Sequence, residues 1–88
     1  MNTKIYEFDA VIQKVPNIDG AYIEFPYDVK KEFGKGRVKV IVTFDHVIYQ
    51  GSLVRMKHQA YYWLRKDIRA QIQKQPGDIV HVKIQERE

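Results

Sequence analysis

The chain contains no cysteine, which excludes disulfide bonds, thiolate nucleophiles and cysteine-ligated zinc. No hydrophobic stretch approaches the run of about 18 residues that a membrane-spanning helix needs, and the first residues lack the apolar core of a signal peptide. Serine occurs once, at Ser52, inside a strand pattern and without the Gly-x-Ser-x-Gly turn that exposes a nucleophile. We therefore expect a cytoplasmic protein without membrane contact that is stabilised by packing alone.

The amino-acid composition is typical of a folded, basic protein. Of its 88 residues, 44% are hydrophobic and 30% are charged, a composition typical of globular proteins and of one domain, residues 1–88. The net charge is +4, and residues 29–74 carry it, with eleven Lys and Arg against three acidic residues. The positive charge is therefore concentrated in the middle of the chain.

Alternating apolar and polar residues predict that most of the chain is β-strand. The predicted strands cover residues 6–13, 21–25, 38–44, 47–54, 60–64 and 79–85. Asp19-Gly20 suits the positive φ of a tight turn, so the first two strands are expected to pair antiparallel, and Asp45-His46 is expected to turn a hairpin.

Two short helices interrupt the strands. The first is predicted to start with Pro26 at its first position, to carry Asp28 in its first turn and to end at Gly34 as a left-handed C-cap. The second is predicted over residues 67–74, because Ile68 and Ile72 share one face and Pro76-Gly77 follows. The fold class is thus mostly β with two short helices.

An internal repeat runs through this pattern. Residues 21–29 align with residues 60–68, with identical alanine, tyrosine and aspartate, and the following strands align Val38 with Val80 and Val40 with Val82. Each unit is strand, short helix, strand. Two such units bury their edges most simply by interleaving with pseudo-twofold symmetry into a small closed β-barrel; chance alignment of short β-rich segments is the alternative.

The repeat also predicts which side chains face outward. Glu24 aligns with Trp63, and a charged residue rarely points into a barrel core. Trp63 and Tyr61 are therefore expected on the face opposite the main core, either under a helix or at a binding surface.

Four short motifs resemble a known family. They are Phe8-x-Ala10-Val11-Ile12, Phe25-Pro26-x-Asp28-Val29, Gly36-Arg37-Val38-x-Val40 and Gly77-Asp78-x-Val80-x-Val82, and their order resembles the domain of unknown function family 1905. The resemblance covers nearly the whole chain. It implies a double-split β-barrel, which agrees with the barrel inferred from the repeat, and partnership in some members with a helical domain linked with bacteriocin protection. The family's own function is unsettled.

The second unit also resembles the swapped-hairpin units of AbrB and MazE type transcription factors. The similarity lies in residues 64–69 followed by Gly77-Asp78. Those proteins resemble half a barrel that a second chain completes, whereas this chain carries both halves, so their DNA-contacting geometry does not transfer directly. Arg65 stands where the first unit has Pro26, a departure from the proline of that junction.

The titratable residues show no pattern typical of a metal site or of a catalytic site. His46, His58 and His81 fall in two turns and on the outward side of a strand, without metal-ligand spacing, and are interpreted as solvated surface residues. Glu7 and Asp9 share a strand face and could act as an acid and base pair, but that face is polar, so ordinary carboxylate pKa values are expected.

Gly34-Lys35-Gly36-Arg37 has the composition of a phosphate-binding loop. It follows a helix and enters a strand, however, which is the reverse order of a P-loop. A helix C-cap and a turn explain both glycines, while an anion-binding backbone nest beside Lys35 and Arg37 stays an alternative.

The strongest functional indication is a stretch in which cations and aromatic residues interleave. The candidate binding surface comprises Arg37, Arg55, Lys57, His58, Trp63, Arg65, Lys66 and Arg69. Such surfaces bind nucleic acid by phosphate neutralisation and base stacking. The alternative is a solubilising charged face over core aromatics.

These observations favour a non-catalytic binding or interaction module, without cofactor or metal, acting as a monomer or a homodimer. Its partner would be an acidic protein surface, a small anionic ligand or a separate domain. Weak nucleic-acid binding, AbrB-like and to DNA, is the alternative function. An enzyme would require a barrel cavity lined by Tyr49, Tyr62 and a histidine of shifted pKa, and no motif indicates one.

Overall fold

The computed structural model describes residues 2–88 and is mostly β with two short helices. The strands are β1 (Ile5–Val11), β2 (Gln13–Lys14), β3 (Ala21–Phe25), β4 (Arg37–Phe44), β5 (Val47–Met56), β6 (Gln59–Trp63) and β7 (Ile79–Glu86), and the helices are α1 (Val29–Phe33) and α2 (Lys66–Ile72). No helix within residues 2–88 is long and apolar enough to cross a membrane. The prediction of a mostly β fold with two short helices is confirmed.

All seven strands belong to one antiparallel sheet in the order β1-β7-β4-β5-β6-β3-β2. The two edge strands, β1 and β2, are separated in sequence only by Ile12, which is fully buried. The Ile12 N–H donates to the Asp78 carbonyl, and the Ile12 carbonyl accepts from the Gly77 N–H. Because one short segment supplies both edges, the sheet must curl round toward itself.

The core fills the concave side of this curled sheet. Alternate residues of the two adjoining strands β4 and β7 point inward, and they are completely or almost completely buried: Val38, Val40, Val42, Phe44, Val80, Val82 and Ile84. This is the alternation that the sequence predicted, since period 2 places every second residue on one face.

The strand pairing fits the internal repeat. In the antiparallel pair of β3 and β6, Ile23 lies opposite Tyr62, its own equivalent in the sequence alignment. In the pair of β4 and β7, Val42 lies opposite Ile84, which continues the alignment of Val38 with Val80. Antiparallel pairing of equivalent residues is what a twofold axis between the two units produces.

The turn before β3 differs from its prediction. The residue with positive φ is Asn17, at 69°, and not Gly20, whose N–H donates to the Ile18 carbonyl. Asparagine adopts the left-handed region more readily than other non-glycine residues, so it replaces glycine here. Of β1 and β2, only the short β2 pairs with β3, whereas β1 pairs with β7.

The helix boundaries are also shifted from prediction. Asp28 is the N-cap of α1, and its carboxylate accepts from the N–H groups of Lys30 and Lys31, so Pro26 precedes the helix. Gly34 is the left-handed C-cap, at φ 72°, as predicted. The second helix starts earlier than predicted, at Lys66, and ends at Ile72 because Gln73 turns left-handed before Pro76 is reached.

Candidate binding surface

Three aromatic side chains form a ledge on the convex face of the sheet. We call Tyr22, Tyr61 and Trp63 the aromatic ledge. The Tyr22 ring lies edge-on to Tyr61 at 5.0 Å between centroids and to Trp63 at 5.6 Å. Trp63 is 43% exposed, while its sequence neighbours Tyr62 and Leu64 are buried. The prediction that Trp63 and Tyr61 face away from the core is confirmed.

A shallow groove runs along the ledge toward the β5–β6 turn. Its volume is about 510 Å³, and its lining combines the ledge with residues of the turn and of the β2–β3 loop: Val15, Tyr22, Met56, Lys57, His58, Gln59, Tyr61 and Trp63. Lys57 has a positive φ of 58°, which lets a two-residue turn join the strands. The side chains of Lys57 and His58 are consequently exposed at one end of the ledge.

On its other side, Trp63 borders a second groove where β5 and β6 separate. The pairing of these strands ends at Val54 opposite Tyr61, so the residues of β5 before Val54 have no partner on β6. We call the opening the split groove. Its volume is about 450 Å³, and it is lined by Arg37, Gln50, Gly51, Ser52, Val54, Tyr62, Trp63, Arg65 and Ile68.

Tyr62 lies at the floor of the split groove, packed over Gly51. The ring is 4% exposed, and a Cβ at residue 51 would stand 2.3 Å from its hydroxyl oxygen. Burial raises the pKa of Tyr62, and the positive charge of Arg65 acts in the opposite direction. Glycine at residue 51 is thus a spatial requirement, since any side chain would displace the ring.

The structure exposes most of the predicted surface residues. Arg37, Arg55, Lys57, His58, Trp63, Arg65 and Lys66 all have exposed side chains, and five of these seven line one or both of the two grooves: Arg37 and Arg65 line the split groove, and Lys57 and His58 line the groove along the ledge. Trp63 borders both. Arg55 and Lys66 lie outside the grooves.

Arg69 does not belong to this surface, which corrects the prediction. It is 6% exposed, its Nε donates to the Leu64 carbonyl at 3.2 Å, and its Nη1 lies 3.1 Å from Asp19. The guanidinium therefore links α2 to the end of β6 and to the turn before β3. A buried arginine with these partners has a structural role, because its charge is already paired.

The first repeat unit contains an equivalent of the split groove. Phe8 lies opposite Val82 in the sheet, just as Gly51 lies opposite Val40, and Val82 and Val40 are equivalent in the repeat. The groove beside Phe8 is smaller, with a volume of about 250 Å³. Five of its lining residues correspond to residues of the split groove: Phe8 to Gly51, Asp9 to Ser52, Val11 to Val54, Glu24 to Trp63 and Pro26 to Arg65. One groove is therefore acidic and its equivalent is basic and aromatic.

A histidine between two carboxylates lies on the outer face of β1 and β7. His81 Nδ1 is 2.6 Å from Asp9 Oδ1, and His81 Nε2 is 2.6 Å from Glu7 Oε2. These contacts with Asp9 and Glu7 raise the pKa of His81, and the contact with His81 lowers the pKa of Glu7. The expectation of an ordinary pKa was wrong for Glu7, because strand register brings the distant His81 next to it.

This cluster predicts a pH-dependent contribution to stability. The raised His81 pKa stabilises the fold below the ordinary value of 6.5, and the contribution is lost as pH rises through the folded-state pKa. The lowered Glu7 pKa contributes above its ordinary value of 4.5 and is lost as pH falls through the folded-state pKa. Two further charged groups face the cluster. Lys83 lies 4.0 Å from Glu7, and the Asp45 carboxylate accepts a hydrogen bond from the backbone N–H of His81.

We expect the difference in melting temperature between the protein and its His81→Gln variant to be largest between pH 4.5 and 6.5 and to shrink at higher pH. Thermal unfolding followed by circular dichroism from pH 4 to 9 measures this difference. His58→Gln, at an exposed turn, is the matched control and should show no such trend. A difference independent of pH would contradict the assignment of charge to the cluster.

The structure of the Gly34–Arg37 loop fits a helix C-cap followed by a turn. Gly34 terminates α1, and Lys35 Nζ lies 2.8 Å from Glu86, whose side chain is 3% exposed. This ion pair lowers the pKa of Glu86. The charge of Lys35 is therefore paired within the protein, whereas Arg37 lines the split groove. Among residues 2–88, no three His, Asp or Glu side chains are grouped so as to hold a metal ion.

The fold and this surface define a small, mostly β protein whose curled sheet carries an aromatic, cation-bordered convex face. Comparison with family models matches residues 8–84 to the family described as "Domain of unknown function (DUF1905)", and the chain belongs to that family. The resemblance found from the four motifs is confirmed. A search of curated proteins found no match.

Proposed function

We propose that this protein is a non-catalytic binding module that recognises an anionic partner through the convex face of β5 and β6. The scaffold would be a double-split barrel that closes at Ile12, where β1 passes into β2. The observation that carries the proposal is the exposure of Trp63 on the aromatic ledge between two grooves, with Lys57 at one side and Arg65 at the other.

Physical chemistry supports this location. An indole with nearly half its surface in water offers a large contact area that folding has not used. Arg37, Arg55 and Lys57 make no ion pair with any residue of the described chain, so their charges are available to a ligand. Aromatic rings interleaved with unpaired cations bind ligands that combine flat groups with negative charge.

Single-stranded nucleic acid is the second candidate partner, and the aromatic ledge favours it over duplex DNA. Adjacent outward rings can stack on unpaired bases, while the flanking cations neutralise phosphates. A duplex hides the faces of its bases, so it could use only the cations. The AbrB-like DNA binding considered from the sequence would follow the latter pattern.

Fluorescence anisotropy and the emission of Trp63, the only tryptophan, test the proposal together. Labelled single-stranded DNA, duplex DNA and a polyglutamate peptide are titrated at low and at physiological salt. We expect micromolar binding of the single strand at low salt, quenching of Trp63, and a steep loss of affinity as salt rises. Binding of polyglutamate with the same quenching would instead indicate an acidic protein partner.

Charge-matched variants identify the surface. Arg55→Ala, Lys57→Ala and Arg65→Ala should each weaken binding severalfold and reduce its salt dependence, and Trp63→Ala should weaken it further. Lys30→Ala removes one positive charge from an exposed position of α1 and serves as the control. Equal losses for Lys30 and Arg65 would mean that net charge, and not this face, determines binding. Failure of all three probes at low salt would contradict the proposal.

A further inference from the structure

We infer that the split groove is a binding site for a small organic anion, whose phosphate or carboxylate head accepts a hydrogen bond from the Tyr62 hydroxyl beside Arg65 and Arg37. The flat body of this anion lies against Trp63. This inference rests on the proposed function and specifies the ligand chemistry of one part of the same surface.

The Tyr62 hydroxyl is the first reason. Tyr62 is only 4% exposed, yet its hydroxyl has no hydrogen-bond partner among residues 2–88. Within that part of the chain, every fully enclosed side-chain nitrogen or oxygen does have a partner, so this hydroxyl must open to the groove it lines. Water in the groove can therefore reach the hydroxyl, and an oxyanion bound there would take the place of that water as its hydrogen-bond acceptor.

The repeat supplies the second reason. In the first unit, Ile23 occupies the position of Tyr62, Glu24 that of Trp63 and Pro26 that of Arg65. Both units form the same strand, helix and strand, so the backbone needs neither the hydroxyl nor the arginine at these positions. Their presence in one unit only is therefore unexplained by folding, and they converge on one groove.

The charges of the groove suit an anion that can be exchanged. Arg65 lies 3.3 Å from Asp67, but both side chains are 68% exposed, so this ion pair is weak and easily replaced. Arg37 has no acidic partner anywhere in the described residues. Arginine pairs with phosphate and carboxylate through two parallel hydrogen bonds, which a buried tyrosine donor complements.

The size of the groove indicates more than an inorganic ion. Its volume of about 450 Å³ lies in the range of pockets that hold small organic ligands. Trp63 forms one wall, so a ring attached to the anionic head would lie along exposed indole. Ser52 and Gln50 add polar groups to the same lining.

Four probes separate the head of the ligand from its body. Phenyl phosphate carries both, benzoate replaces phosphate by carboxylate, inorganic phosphate lacks the ring, and phenol lacks the charge. Each is titrated into ¹⁵N-labelled protein, and the amide shifts of Gly51 and Ser52 are followed together with Trp63 emission. We expect phenyl phosphate or benzoate to bind at least about tenfold more tightly than inorganic phosphate or phenol; the better of the two identifies the head.

Two variants test the residues assigned to the head. Tyr62→Phe removes only the unpaired hydroxyl, so its melting temperature should equal or exceed that of the parent, while affinity for the better probe should fall about tenfold or more. Arg65→Gln, at an exposed position, should weaken binding similarly, and Lys30→Gln is its charge-matched control.

Undiminished affinity in both Tyr62→Phe and Arg65→Gln, or the absence of Gly51 and Ser52 shifts with phenyl phosphate and benzoate, would overturn the inference. If single-stranded DNA or polyglutamate still quenches Trp63 in that case, the proposed function stands and only the small-anion site is rejected. If those probes also fail, the convex face is not a binding surface, and the proposed function fails with the inference.

Discussion

Replacement of Phe25 by alanine is expected to lower the free energy of unfolding by about 3–5 kcal/mol. Phe25 is completely buried, and four rings surround it: Tyr6 at 5.3 Å between centroids, Tyr27 at 5.4 Å, Phe8 at 5.9 Å and Phe33 at 5.9 Å. These rings come from β1, α1 and the segment before α1, so a cavity at Phe25 loosens several elements at once. Small domains have only about 5–15 kcal/mol of stability to lose.

Urea unfolding followed by Trp63 fluorescence measures this loss as a lower transition midpoint. The repeat provides the matched control, because Leu64 occupies the position of Phe25 in the second unit. Phe25→Leu should therefore cost clearly less than Phe25→Ala, about 1–1.5 kcal/mol. If the two variants lost equal stability, the edge-to-face ring contacts, and not the filled volume, would be the source of the effect.

The second large effect is expected at Gly51. Gly51→Ala should lower the free energy of unfolding by about 1–3 kcal/mol, because the new Cβ would lie 2.3 Å from the Tyr62 hydroxyl oxygen and 2.8 Å from its Cζ. The Tyr62 ring cannot move away freely, since it packs against Phe44 at 5.4 Å between centroids. Chemical unfolding again measures the change.

A double-mutant cycle assigns this cost to the contact itself. Isoleucine is accommodated at the equivalent position of the first unit, residue 23, so Tyr62→Ile is the natural partner substitution. Gly51→Ala should cost much less in the Tyr62→Ile background than in the parent. Additive costs would show that residue 51 requires glycine for a reason other than the ring.

The framework was predictable from the sequence because local patterns agree with the final fold. Strict alternation in β4 and β7 predicts both the strands and their buried face, and the repeat predicts that Trp63 points outward. The turn at Asn17 and the end of α2 at Gln73 were missed. There, residues other than glycine adopt positive φ because the surrounding structure holds them, which sequence preferences register only weakly.

The binding surface was predictable in composition but not in detail. The sequence identified the exposed cations, yet it also included Arg69, because its partner Asp19 lies 50 residues away. His81 was separated from Glu7 and Asp9 by more than 70 residues and joined to them only by strand register. The split groove depends on where the pairing of β5 and β6 ends, and no local pattern encodes that point.

The junction at Ile12 has a consequence for the order in which the fold can be completed. The segment on its N-terminal side pairs with β7, the last strand of this fold in sequence order, and the segment on its C-terminal side pairs with β3. The residues of β1 therefore lack their strand partner until β7 has been synthesised. Contacts between such distant residues slow folding, and an exposed strand edge invites association during the delay. Nascent chains whose β7 has not yet emerged from the ribosome should thus be the species most dependent on chaperones.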